Sequence, residues 1–317
     1  MLPEIEAFSE GRIIKGEGLL TKQNNQNTGK ALPVSALLAG AVIWGLLWYP
    51  YRLLEQAQIH GPIATAITYA LALLMGLIAF RNRLRRSRIF DGQSHLLLCI
   101  GLFAGWANLA YVLGVVHGEI MRVLLLFYLA PLWTILFARL LLNEQLSLHG
   151  YLVITLSLTG AVVMLWQPEG GFSLPSTYGD WMGLSAGFMF ALSNVLSRKD
   201  QTHDIQLKSL AVWVGVTLIA SGYSLLLRDL PVLAGMSVNT YLLLAGVGLI
   251  VFVLSLVVQY GLTYVPANQA IVIMLFELVA AAIAAHFLTD EVMAVREWVG
   301  GLMIVSASLF SARMNRG

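Results

Sequence analysis

Long apolar segments recur along almost the whole chain. A helix that crosses a bilayer needs roughly 20 mostly apolar residues, and ten such windows follow one another after residue 33. In chain order, spans 1 to 10 cover residues 34–54, 62–80, 95–116, 120–142, 148–166, 179–197, 207–227, 240–262, 268–288 and 296–312. Lipid cannot satisfy free backbone N–H and C=O groups, so these windows must form helices. We predict an all-α integral membrane protein with ten transmembrane helices.

The composition excludes an ordinary soluble domain. Apolar residues make up 58% of the 317 and charged residues only 11%, whereas a soluble domain carries about 25% charge. The formal net charge of +2, without a basic face, argues against a nucleic-acid partner. Cys99 is the only cysteine, which excludes an internal disulfide and a cysteine-based zinc site. No histidine pair has metal-ligand spacing and no nucleotide-binding fingerprint occurs in context, so we predict no metal and no cofactor.

The distribution of Lys and Arg predicts the orientation in the membrane. Residues 1–32 are polar and mixed in charge, which indicates a mobile cytoplasmic tail rather than a signal peptide. With the N-terminus inside and ten spans, nearly all flanking Lys and Arg fall on the cytoplasmic side, and only Arg228 and Arg296 lie opposite. The positive-inside rule therefore predicts that both termini are cytoplasmic. We expect a bacterial inner membrane as the location.

An internal repeat relates the two halves of the chain. Glu144 follows span 4 and Glu291 follows span 9, 147 residues later. The same offset aligns two glycine pairs without a gap, Gly101 with Gly248 and Gly114 with Gly261. An offset of 146 residues aligns further pairs, Trp44-Gly45 with Phe190-Ala191 and Arg52 with Arg198. We predict two five-helix repeats, at 33–167 and 168–313; since five is odd, the second must be inverted in the membrane relative to the first.

Several short motifs follow one another in a characteristic order. The first half contains Trp44-Gly45 in span 1 and Tyr128-Leu129-Ala130-Pro131-Leu132-Trp133 in span 4, with Glu144 beyond it. The second half contains Phe276-Glu277-Leu278-Val279-Ala280-Ala281, then Asp290-Glu291, then Trp298-Val299-Gly300-Gly301. From about Pro33 to Arg313 this pattern resembles the drug/metabolite transporter superfamily, specifically its EamA-type ten-helix members.

The resemblance implies a ten-helix bundle of two inverted repeats around a central cavity, which exports or exchanges amino acids or other metabolites. The stretch from Tyr128 to Ala138 is similar to bacterial aromatic amino acid exporters, although a shared fold does not carry their substrate over. Leu278 stands where family members often have Pro after Glu. The sequence therefore does not predict the helix break that a Pro would cause in span 9, whereas span 4 keeps Pro131.

Glu277 is the leading candidate for a functional residue. It lies near the middle of span 9, where a charged side chain costs roughly 2.5–3.5 kcal/mol on insertion scales. Its carboxyl group should therefore face a cavity or a partner. It could contact a substrate amine, carry a proton, or form a structural hydrogen bond between helices.

Other polar and aromatic side chains are candidates for the substrate path. Arg122 lies just inside the outer end of span 4, where it could bind a substrate carboxylate or extend to the lipid headgroups. The remaining candidates are Trp44, Trp48, Trp106, Asn108, Tyr111, Tyr128, Asn194, Gln259 and Tyr260. We expect some of them to line a cavity and the others to bind neighbouring helices or to lie in an interfacial aromatic belt.

Two classes of function fit these features. The leading hypothesis is a secondary transporter, an exporter or exchanger of small metabolites such as amino acids, that works by alternating access and is not an enzyme. A lipid-linked metabolite flippase would differ only in substrate. The second class is an intramembrane enzyme, because Gly183-Leu184-Ser185-Ala186-Gly187 matches G-x-S-x-G and His286 could lie at a similar depth. A nucleophile elbow needs a strand-to-helix turn, whereas this stretch lies in an apolar helical window typical of small-residue packing.

Overall fold

The computed structural model describes residues 31–84, 92–118, 120–166, 175–226, 236–288 and 295–311. Helices dominate these residues. In chain order they are α1 (31–46), α2 (Trp48–Gln56), α3 (Gly61–Leu84), α4 (Ser94–His117), α5 (Ile120–Phe127), α6 (Ala130–Leu142), α7 (Leu148–Leu165), α8 (Tyr178–Lys199), α9 (Ile205–Leu226), α10 (Val238–Tyr264), α11 (Ala267–Met274), α12 (Phe276–Leu288) and α13 (Val295–Phe310).

All ten predicted spans correspond to helical segments. Spans 2, 3, 5, 6, 7, 8 and 10 each form one helix, whereas spans 1, 4 and 9 are each divided into two consecutive helices. Six stretches of 21 to 27 residues in the described part of the chain are long and apolar enough to cross a membrane, and shorter apolar helices accompany them. The prediction of an all-α membrane protein is confirmed. We call the end of the bundle that carries Arg81, Arg83, Arg198 and Lys199, in the last turns of α3 and α8, the basic end.

The two halves pack against each other symmetrically. Helix α4 of the first half packs on α9 of the second, and their equivalents, α10 and α3, also pack together. Likewise α4 packs on α8, as α10 packs on α2. The equivalent helices α7 and α13 also meet directly, and the equivalent spans 4 and 9 meet through α6 and α11. Exchanging the halves therefore maps these contacts onto one another, as expected for repeats related by a twofold axis.

The glycines that the repeat aligned make equivalent close approaches. A Cβ on Gly101 in span 3 would lie 2.5 Å from the carbonyl oxygen of Ala211 in span 7. A Cβ on the aligned Gly248 in span 8 would lie 2.9 Å from Cβ of Leu71 in span 2. Each glycine thus lets its helix pack closely on the second span of the other half. Both positions are therefore close packing points between the two halves.

Candidate functional site

The three divided spans each have a break near the middle of the membrane segment, which is a local irregularity of one or two residues; Leu47, Leu129 and Leu275 keep right-handed helical backbone angles there. Leu47 separates the helices of span 1, Tyr128 and Leu129 separate those of span 4, and Leu275 separates those of span 9. At each break a backbone bond that spans three residues, as in a 3₁₀ turn, accompanies the helical bonds. The backbone N–H of Leu47 donates to Trp44 O at 3.0 Å, that of Leu129 to Leu126 O at 3.3 Å, and that of Leu278 to Leu275 O at 3.1 Å. These bonds limit the number of unpaired backbone groups at a depth where lipid supplies none.

Proline explains two of the three breaks. Pro50 and Pro131 lack the N–H that would bond the carbonyl four residues earlier, and each follows its break by two or three residues. Span 9 has Leu278 where span 4 has Pro131, so the sequence did not predict a break there. The structure nevertheless divides span 9 at Leu275, without a proline in the first turn of α12.

Glu277 lies directly after the break in span 9. It occupies the first turn of α12, where the positive end of the helix dipole favours a carboxylate. Ten residues separate it from the start of α11 at Ala267, which places it about 15 Å from the basic end at 1.5 Å per residue. Its carboxylate Oε1 accepts a hydrogen bond of 2.7 Å from the hydroxyl of Tyr128. The breaks of spans 4 and 9 are thus joined by one hydrogen bond between the two halves.

Span 1 also packs closely against Glu277. A Cβ on Gly45, two residues before the break at Leu47, would lie 2.5 Å from the backbone carbonyl oxygen of Glu277 and 2.9 Å from Cβ of Ala280. Only a residue without a side chain allows α1 to approach α12 this closely. All three breaks therefore meet around Glu277.

Aromatic side chains surround this meeting point. The Tyr111 ring packs edge-on against Phe127 at 5.2 Å between centroids, and Tyr111 lies near enough to Glu277 to interact with its charge. Phe127 also contacts Tyr128 at 5.2 Å and Phe190 at 5.4 Å. Phe190 is only partly buried although it packs against three separate core clusters. The half-buried Glu277 therefore lies beside a wall of rings at mid-bundle.

The other predicted residues fall into two groups. Trp44 precedes Gly45 and is half-buried, and the Asn194 amide nitrogen in span 6 lies 3.9 Å from Sδ of Met274 beside the span 9 break. By contrast, the Asn108 amide joins spans 2 and 3, accepting from the Tyr69 hydroxyl at 3.1 Å. The structure thus places Trp44 and Asn194 next to the breaks and makes Asn108 a link between helices.

For the remaining candidates the structure gives contacts with other residues than Glu277 and Tyr128. Trp48 packs edge-on against Tyr49 in α2, and Tyr260 packs against Tyr264 near the basic end of span 8. Gln259 is 6% exposed, and its Oε1 has no hydrogen-bond partner among the described residues. Arg122 lies in α5, but its side chain is outside the described residues, as is Glu291.

The G-x-S-x-G stretch does not form a nucleophile elbow. Ser185 lies in the interior of the continuous helix α8. Its hydroxyl donates to the carbonyl oxygen of Met182 at 3.0 Å and accepts from Trp106 Nε1 at 3.3 Å. These bonds use the hydroxyl to join spans 3 and 6, and Gly187 provides a close contact with the backbone of Phe127. This geometry is that of a packing face, as the sequence analysis favoured.

A buried polar cluster at the basic end was missed by sequence reasoning. The sequence analysis treated Lys208 only as one of the positive charges that flank the spans. In the structure Lys208 is fully buried. Its ammonium group donates to the carbonyl oxygens of Ser197 and Asp200 and to the Thr263 hydroxyl, the last at 3.2 Å. Asp200 and His203 are also buried and bond each other at 2.8 Å. The dense run of polar residues between spans 6 and 7 was the available signal, but such runs usually mark an exposed loop.

Comparisons with known proteins agree with this architecture. Residues 31–166 and 177–313 each match the model of the EamA-like transporter family. The chain is 25% identical over 218 residues to an uncharacterized transporter of Archaeoglobus fulgidus, an alignment that covers 68% of this chain and 76% of that protein. It also superposes on a solved crystal structure with a TM-score of 0.72 and 17% identity, covering 88% of this chain and 95% of the other. At that identity the last likeness shows a shared fold.

Proposed function

Because the chain belongs to the EamA-like transporter family, we propose that it is a secondary transporter that exports or exchanges small metabolites such as amino acids by alternating access. That it is a membrane transporter follows from the family and from the apolar helices. The substrate class and the mechanism are inferred from the site. The observation that carries them is the mid-bundle carboxylate of Glu277, bonded by Tyr128 from the other half.

The break geometry supports alternating access. Three spans, from both halves, are irregular close to Glu277. Half-helices that end at the centre of a membrane bundle can tilt separately from their partners, and they present helix termini to a bound solute. The symmetric packing of the halves gives two equivalent ways to close the bundle, one at each end.

The chemistry of the site supports a substrate with an amine. A carboxylate at the start of α12 attracts a positive charge, and the surrounding rings of Tyr111, Phe127 and Phe190 favour a cation by contact with their faces. The carboxylate of a bound amino acid would need a separate donor, and the amide of Asn194 beside Met274 is one such group. Arg122 is the second candidate for that role.

The same reasoning gives the orientation in the cell. The basic end should face the cytoplasm, because Lys and Arg flanks are retained on that side. Both termini should then be cytoplasmic, and the inner membrane of a bacterium is the expected location.

A flux measurement tests the role of Glu277. The purified protein is first screened for ligands by thermal shift against amino acids and other small amines, and the best ligand is then followed into proteoliposomes. Glu277→Gln keeps the size and hydrogen bonding of the side chain but removes its charge. We expect flux to fall at least ~10-fold, equivalent to about 1.4 kcal/mol, with an unchanged or slightly higher melting temperature. The matched control is Glu55→Gln, because Glu55 is 53% exposed and pairs with His60. Normal flux with an unchanged pH profile in Glu277→Gln would contradict the proposal.

A further inference from the structure

Glu144 is held in a defined position at the basic end of span 4. Helix α6 ends at Leu142, and its C-cap residue Asn143 takes the left-handed conformation with φ of 56°, one that Asn tolerates better than most residues. The backbone N–H groups of Asn143 and Glu144 both donate to the carbonyl oxygen of Ala138, the latter at 3.1 Å. This turn directs Glu144 away from the axis of span 4.

The Glu144 carboxylate reaches the first turn of span 9 in the other half. Its Oε1 accepts from the backbone N–H of Ala267 at 3.2 Å, and its Oε2 accepts from Nδ2 of Asn268 at 3.4 Å. The N-cap residue of α11 is Pro266, which offers no side-chain acceptor. Glu144 therefore supplies from the first half the cap and the negative charge that the start of α11 lacks.

Arg198 connects the same carboxylate to two more spans. Its Nε lies 3.9 Å from Glu144 Oε1, and its guanidinium donates to the carbonyl oxygen of Thr263 at the end of span 8. The Glu144 and Arg198 side chains are 15% and 28% exposed, so water screens their attraction only partly. Spans 4, 6, 8 and 9 are thus tied together at one end of the bundle.

A small apolar layer lies next to these polar contacts. Ala138 of span 4, Val195 of span 6 and Ala267 of span 9 form one cluster and are 0%, 0% and 4% exposed. These are the spans that converge on the breaks deeper in the bundle. At the basic end, spans 4, 6 and 9 are therefore in buried apolar contact beside the Glu144 bonds.

We propose that Glu144 is the latch of the basic end: its bonds to Ala267, Asn268 and Arg198 hold this end of the substrate path closed and fix the half-helix α11. The proposal rests on the proposed transport function. Helix α11 has only eight residues, Ala267–Met274, and leads directly to the break before Glu277. Glu144 is thus a positioning residue for Glu277, and its release allows spans 4 and 9 to separate at the basic end.

The latch is tested by labelling a buried cysteine in detergent, without any substrate. Cys99 is first replaced by Ser, and Ala138→Cys is introduced in the apolar layer. The thiol should react slowly with a maleimide when Glu144 is present. With Glu144→Ala the labelling rate should rise at least ~10-fold, whereas Glu55→Ala at the opposite end of span 1 should leave it unchanged.

A second cysteine separates opening of the latch from general loosening. Ala161 of span 5 is 2% exposed in the cluster that contains Ile304, away from the latch, so Ala161→Cys should stay unlabelled in the Glu144→Ala background. Unchanged labelling of Ala138→Cys, or equal labelling at both positions, would overturn the latch. The labelling rates do not depend on transport, so they test the latch separately from the substrate site. If Glu277→Gln has normal flux but the labelling changes as expected, the substrate site is contradicted and the latch is supported.

Discussion

The breaks of span 4 and span 9 occupy equivalent positions but carry different chemistry. Helix α5 ends at Phe127 and α11 at Met274, which are 147 residues apart, the offset that aligns the two halves. The same offset pairs Ala130 with Glu277 and Pro131 with Leu278. The break of span 4 is therefore followed by a proline and no charged residue, whereas the break of span 9 is followed by a charged residue and no proline. The shape of the site is duplicated, but its acidic group is not.

The helices that pack on the two breaks differ in the same way. Gly45 in span 1 lies against the backbone of Glu277, whereas its aligned residue in span 6, Ala191, packs in one cluster with Ala130. The contact that depends on glycine is thus at the charged break. In an alternating-access transporter, the conformations open to the two sides of the membrane must share one binding group. Two similar half-helices with a single charged side chain, Glu277, would meet that need.

The largest expected effect comes from filling the Gly45 contact. Gly45→Val adds atoms where even a Cβ would lie 2.5 Å from the Glu277 carbonyl oxygen, and two backbones cannot rotate apart as side chains can. We expect a loss of about 1–3 kcal/mol of stability, seen as a lower melting temperature, together with loss of flux.

The control for this variant is Gly246→Val. No heavy atom lies within 4 Å of a Cβ built on Gly246, so the same substitution should leave the melting temperature nearly unchanged. Equal effects at both glycines would show that the closeness of spans 1 and 9 is unimportant.

Leu278→Pro makes the break of span 9 resemble that of span 4. The change removes the 3.1 Å bond from Leu278 N–H to Leu275 O and the buried Leu side chain. Proline is tolerated in a first helical turn, so we expect a cost of only about 1–2 kcal/mol and retention of transport. The matched variant Pro131→Leu makes the opposite exchange in span 4. We expect it to lower flux and to leave the melting temperature nearly unchanged. Complete unfolding of Leu278→Pro would show that the two breaks have different backbone geometries.

The sequence predicted the architecture well because membrane helices depend on length and hydropathy, which are local properties. The sequence directly showed the ten apolar windows and the aligned glycines Gly101 and Gly248. It also singled out Glu277 as an unusual charge within a span. The break at Leu275 and the partner of Glu277 could not, because they depend on which helices meet in space. Lys208 is the clearest case, since its ammonium group is buried by carbonyl oxygens that no sequence pattern marks.

Tyr128→Phe removes the one described hydrogen bond between the two breaks. The bond from the Tyr128 hydroxyl to Glu277 is 2.7 Å long, and its loss should cost about 0.5–1.5 kcal/mol. We expect weaker substrate binding by roughly 3- to 10-fold, measured by thermal shift or by the concentration dependence of flux. Tyr69→Phe is the control, because it removes a bond of 3.1 Å to Asn108 outside the site. If Tyr69→Phe weakens binding as much as Tyr128→Phe does, the bond between the breaks has no special role.

The smallest effect concerns the basic end, where the two halves meet through Glu144. Burial raises the pKa of the Glu144 carboxyl above its usual 4.5, although the hydrogen bonds from Ala267 and Asn268 and the charge of Arg198 lower it in part. The folded protein therefore holds this proton more tightly than the unfolded chain does. Between the two pKa values the folded state binds more protons, so stability falls as pH rises through that window. Below the window the contribution is fully present, and above it the buried carboxylate is charged.

Glu144→Gln cannot titrate, so it separates this contribution from the rest of the protein. The melting temperature of the variant minus that of the wild type should increase as pH rises from about 4 to about 8, by a few degrees at most. Among the described side chains Arg198 is the charge that faces Glu144, and it links to Lys208 through Thr263. A difference that instead decreases with pH would mean that Arg198 and the first turn of α11 stabilise the charged carboxylate more than burial destabilises it. The latch would then be stronger at high pH than at low pH, and acidification, not alkalinity, would release the basic end.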